Sequence, residues 1–140
     1  MRPRRIASGL ATLLLAAGVH AQDKACSKPD AAAAAKALDN VVTWGQLEKA
    51  WRDYRQCDSP PVDAQFTEAL MRIMVDWKQP EQLGAAVAKD PEYKAFVIRH
   101  VKSPGAADDR PDVYSRAKES CPSGMASFCA ELADAAKTSK

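Results

Sequence analysis

The sequence predicts an all-α fold, a compact bundle of six or seven short helices stapled by two disulfides. Three observations predict it. Apolar residues recur at helical spacing, and no stretch keeps a two-residue alternation for more than a few residues. Helix-start signals, a capping residue followed by Pro, Glu or Gln, recur along the chain. Four cysteines, Cys26, Cys57, Cys121 and Cys129, stand in a 140-residue chain whose first segment has the character of an export signal.

Residues 1–21 read MRPRRIASGLATLLLAAGVHA. Arg2, Arg4 and Arg5 form a positive head, Ile6 to Val19 is uncharged and largely apolar, and Val19-His20-Ala21 suits a signal peptidase. The apolar run is about 14 residues, short of the roughly 20 needed to span a bilayer. No Cys stands at the cleavage position, so no lipid anchor is expected. The expected organisation is a signal peptide at 1–21 and a single helical domain at 22–140. The expected location is periplasmic or secreted, with no stable membrane insertion after cleavage.

Removing that segment changes the charge. The whole chain carries 20 Lys+Arg against 18 Asp+Glu, net +2. Residues 1–21 hold three of the Arg and no acid, which leaves 17 basic against 18 acidic groups, a net charge of −1. A nucleic-acid or anionic-lipid partner is therefore not expected. With 46% hydrophobic residues, disorder is not expected either.

The elements follow in order. Asp30 caps a first helix through Ala31–Ala35, Ala37 and Leu38, on the strength of alanine's helix propensity. Thr43 and Gln46 match a capping box for a second helix. That helix puts Trp44, Leu47, Trp51 and Tyr54 on one side and stops at Cys57, before Asp58-Ser59-Pro60-Pro61. A third helix carries the stripe Val62, Phe66, Ala69, Leu70, Ile73 and Trp77, with Glu68, Arg72 and Asp76 on an exposed face. Gln79-Pro80-Glu81 starts a short helix bearing Leu83, Ala86 and Val87. Asp90-Pro91-Glu92 starts another, with Tyr93, Phe96, Val97, His100 and Val101 on its buried face. Residues 103–111 read as the longest polar connection. Pro111-Asp112 opens a helix with Val113, Tyr114 and Ala117, ending at Cys121. A last helix carries Met125, Phe128, Cys129, Leu132 and Ala136. No repeat of fixed period supports a solenoid.

The cysteines lack a CxxC, so a redox motif, a zinc knuckle and c-type haem are not expected, and His100 is the only histidine outside residues 1–21. Four cysteines allow three pairings. An antiparallel pair of helices at 30–42 and 44–57 brings its free ends together, and Cys121 and Cys129 flank a Pro122-Ser123-Gly124 turn. This favours Cys26–Cys57 with Cys121–Cys129.

Residues with chemical potential are few. Asp108, Asp109 and Asp112 form the only local acidic cluster, without the ligand spacing of a calcium loop; with Arg110 they are the expected partner-contact element. A solvated loop at a helix N-terminus explains the same acids. His100 on an apolar face reads as a core or boundary histidine. Trp44, Trp51 and Trp77 at helical spacing read as core. No Gly-x-Ser-x-Gly elbow and no phosphate loop occur, so neither catalysis nor a cofactor nor a metal is expected. A hydrolase using His100 or Asp108/Asp109 is the residual enzymatic reading. The expected function is binding another protein, a secreted effector or an envelope component. The alternative is an envelope structural or assembly factor.

Three segments carry a resemblance: Tyr54-Arg55-Gln56-Cys57-Asp58, Asp90-Pro91 with Phe96-Val97-Ile98-Arg99-His100, and Cys121-Pro122 through Cys129. Over residues 43–132 the chain resembles small exported helical proteins of proteobacteria, mostly of unassigned function. In size, export signal, helical content and disulfides it is similar to the type VI secretion amidase immunity family. The resemblance implies a periplasmic inhibitor of incoming peptidoglycan amidases, working by occlusion of the toxin's cleft. No inhibitory residue is carried over from it.

Overall fold

Local capping decides where the helices begin. In the computed structural model, which describes residues 24–137, Ser27 opens the first helix: its Oγ accepts from the Asp30 backbone N–H at 3.1 Å. Asp30 is therefore not the cap, as the alanine run suggested. It lies in the first turn, where its carboxylate faces the positive helix end and Lys24 at 3.1 Å. The reason is spacing, since a serine three residues before an acid reaches the orphan backbone N–H groups first. This helix, α1, spans Lys28–Asp39. The capping box of α2, Trp44–Tyr54, forms as expected, with Gln46 N–H on Thr43 Oγ1 and Thr43 N–H on Gln46 Oε1.

After α2 the chain tightens into a 3₁₀ turn, Arg55–Cys57. Helix α3, Val62–Asp76, buries Val62, Phe66, Thr67, Ala69, Leu70, Met71, Ile73 and Met74. Trp77 does not continue it. It adopts φ 51° as the C-terminal cap, and its indole N–H donates to the Ser120 carbonyl at 3.0 Å. Gln79 is also left-handed, at φ 48°, and leads into α4, Pro80–Lys89. Asp90 then caps α5, Pro91–Val101, accepting from the Glu92 and Tyr93 backbone N–H groups at 3.0 and 3.1 Å.

Residues 103–111 depart from the polar connection expected. Pro104–Ala106 is a second 3₁₀ turn that packs on α3, and Ala106 is fully buried. One alanine carries no periodicity, so the sequence alone did not mark it as core. Helices α6, Arg110–Glu119, and α7, Ala126–Ala136, complete the chain and pack extensively against each other.

The fold is all-α, with seven α-helices among the described residues. Helix α3 is central: α1, α2, α5, α6 and the Pro104–Ala106 turn all lie against it. The core is aromatic on the α2–α3–α5 side. Trp51, Tyr93, Phe96 and Phe66 form a continuous cluster with ring centroids 5.1–5.9 Å apart. All three tryptophans are buried. Disulfides join Cys26 to Cys57 and Cys121 to Cys129, the pairing that helix geometry favours. The expected signal peptide at 1–21 lies outside the described residues. Among the described residues no helix is long and apolar enough to cross a membrane.

Candidate functional site: an arginine-lined cleft over a buried His–Asp pair

The segment after Cys57 lays Asp58 against the end of α5. Asp58 Oδ1 lies 2.9 Å from His100 Nε2, and its other oxygen accepts from the Arg99 guanidinium. On the far side of the ring, His100 Nδ1 lies 2.7 Å from Thr67 Oγ1 of α3. The Asp58 and His100 side chains are 5% and 4% exposed. Burial pushes the Asp58 carboxyl up, but the His100 hydrogen bond and charge, with Arg99, hold it below the usual carboxylate range. An ionised Asp58 only accepts, so Nε2 carries a hydrogen. With a neutral ring, Thr67 then donates to Nδ1. With a protonated ring, Nδ1 donates to Thr67, whose hydroxyl turns to the Asp63 carbonyl 3.1 Å away.

The order carboxylate, imidazole, hydroxyl is that of a nucleophile array. Here the hydroxyl belongs to Thr67, which is 2% exposed and wedged between His100 and its own helix. What the array does is tie α3, α5 and the post-Cys57 segment together. His100 is thus the satisfied core histidine expected, with Phe66 and Phe96 against its ring.

Asp58 also reaches the base of a cleft of about 910 Å³ between the end of α2 and the outer face of α5. Trp51 and Phe96 line its apolar part, and Lys24, Arg55, Arg99 and Glu92 its polar part. The Arg55 guanidinium sits 5.5 Å from the Trp51 ring centroid and that of Arg99 6.0 Å from Phe96. Arg55 pairs with Glu92 at 2.7 Å. The Cys26–Cys57 disulfide holds the edge from which Arg55 and Asp58 project.

The expected contact residues lie elsewhere. Asp108 and Asp112 are exposed, while Asp109 and Arg110 are half-buried. Arg110 does not project outward with the acids; its Nη1 donates to the Lys102 carbonyl at 3.3 Å, at the C-terminal end of α5. Among the described residues, no group of His, Cys, Asp or Glu is placed to hold a metal ion.

The sequence reading missed Asp58, Thr67, Arg55 and Arg99 as a unit. Two signals pointed to it: polar His100 and Thr67 each interrupt an apolar stripe, and such residues need partners when buried. Their sequence separations, 33 for Thr67–His100 and 42 for Asp58–His100, hid the pairing. Compared with known proteins, the chain matches no family model, no curated protein and no solved structure.

Proposed function

We propose that this chain is an exported binding protein of the cell envelope, an immunity-type inhibitor that occludes a cell-wall-degrading effector. The observation that carries the reading is the arginine-lined cleft, whose rim is pinned by a disulfide and whose base is pinned by the His100–Asp58 pair. A preorganised surface loses little conformational entropy on association. Arginine is among the side chains that dominate binding energy at protein interfaces. Two disulfides suit an oxidising compartment, and the sequence of residues 1–21 suits delivery to it.

The test is protection. Cells that export the wall-degrading product of an adjacent gene are expected to survive when they also make this chain. Lysis at the same rate with and without the chain contradicts the proposal. So do envelope defects in a deletion strain that encodes no such effector, which fit an assembly factor instead.

A further inference from the structure

We propose that the cleft between α2 and α5 is a carboxylate-binding site, taking a carboxylate carried on an aromatic or extended apolar body. The inference deepens the binding reading above, but it does not require the partner to be an effector.

The cleft already holds such a group. Glu92 places its carboxylate 2.7 Å from Arg55 Nη1, while its own side chain is 75% exposed. So exposed a pair is weakly held, and a second carboxylate displaces it easily. Arg99 differs. Its partner Asp58 is buried and held on the other side by His100, so the Arg99 head is anchored through one nitrogen. A guanidinium presents five N–H donors in a planar fork. Arg55 uses Nη1 on Glu92 and Arg99 uses Nη2 on Asp58; their other donors meet no acceptor among the described residues. The two side chains are 53% and 60% exposed and line one opening. Paired N–H forks match the planar geometry of a carboxylate. Exposed Ala25 and Ala95, with the rims of the otherwise buried Trp51 and Phe96, supply an apolar wall for the body that carries it.

The experiment is an amide-resolved NMR titration of the oxidised protein, with four probes. These are 3-phenylpropionate, its neutral amide, an acetylated, amidated Phe-Glu dipeptide whose only carboxylate is the side chain, and inorganic phosphate. Saturable shifts centred on Trp51, Arg55 and Arg99 are expected with both carboxylates, and binding at least about tenfold weaker with the amide. A dipeptide as good as phenylpropionate assigns the site to an acidic side chain of a protein; a much weaker one assigns it to a free small carboxylate. Arg55→Gln weakens binding. Glu92→Gln strengthens it severalfold by removing the resident competitor, whereas Glu68→Gln, the same charge change in an exposed α3 pair outside the cleft lining, does not. Four results overturn the proposal: no saturable shifts, equal binding of the amide, equal effects of Glu92→Gln and Glu68→Gln, or tighter binding of inorganic phosphate. Loss of protection in cells with these titrations intact rejects the effector reading alone.

Discussion

His100 and Asp58 meet at 2.9 Å with their side chains 4% and 5% exposed, joining the end of α5 to the residue that follows the Cys26–Cys57 disulfide. Asp58 thereby serves two masters: a buried imidazole and the Arg99 guanidinium at the cleft. The pair is where core stability and cleft geometry join.

Asp58→Asn is expected to destabilise the protein by about 2–4 kcal/mol at pH 7, because it removes one partner of a buried charged contact. The folded Asp58 carboxyl titrates below its ordinary value. Its contribution is therefore complete above the unfolded value of about 3.9 and is lost as pH falls through the lower folded value. Urea midpoints measured from pH 7 down to pH 3 should drop on acidification more steeply for the wild type than for the variant. Parallel acid limbs would remove Asp58 from the account.

Thr67→Val keeps the shape of α3 but strips His100 Nδ1 of its 2.7 Å partner. A loss of about 1–3 kcal/mol is expected, the usual cost of an unsatisfied buried polar group. The ring nitrogen chemical shifts of His100 should move at the same time. A stable variant with unmoved shifts would show that the hydroxyl is not a partner.

Gly84 stands where α4 meets Met125: an added Cβ would lie 2.6 Å from the Met125 sulfur. Gly84→Ala should cost about 1 kcal/mol, since overpacking is softened by a flexible thioether. In a Met125→Ala background the sign should reverse, because alanine gains up to about 1 kcal/mol over glycine within a helix. Thermal midpoints of the four proteins decide this, and a cost in both backgrounds contradicts the close approach.

The two disulfides should contribute unequally. Their cysteines are 31 and 8 residues apart. On the loop-entropy account, removing Cys26–Cys57 costs about 1 kcal/mol more than removing Cys121–Cys129. Paired Cys→Ser variants compared by urea unfolding measure the difference. A larger loss from the shorter loop would mean that native contacts, rather than loop closure, dominate.

Much of this fold was legible because its signals are local. Thr43 with Gln46 and Asp90 with Pro91 mark helix starts within four residues. The stripe from Val62 to Trp77 repeats often enough to declare a buried face. The disulfide pairing followed from helix-hairpin geometry. Where a signal is ambiguous the structure differs from expectation: an alanine run is helical wherever it begins, so it does not distinguish Asp30 from Ser27, the residue that caps it. Ala106 entered the core through a turn, where no period exists to announce it. The cleft was illegible for a different reason. Arg55, Asp58, Glu92 and Arg99 acquire meaning only when α5 returns beside the end of α2, and no spacing in the chain encodes that return. Conversely, the acids at Asp108, Asp109 and Asp112 stand out in the sequence through proximity alone, and the fold turns Arg110 away from them onto the Lys102 carbonyl.

Survival of cells that export the wall-degrading product of the adjacent gene distinguishes an exported inhibitor acting by surface contact from every other reading. The chain with residues 1–21 is expected to restore viability, and the same chain without them is not. Equal killing in the presence and absence of the chain with residues 1–21, or the lack of any such adjacent gene, would contradict the proposal.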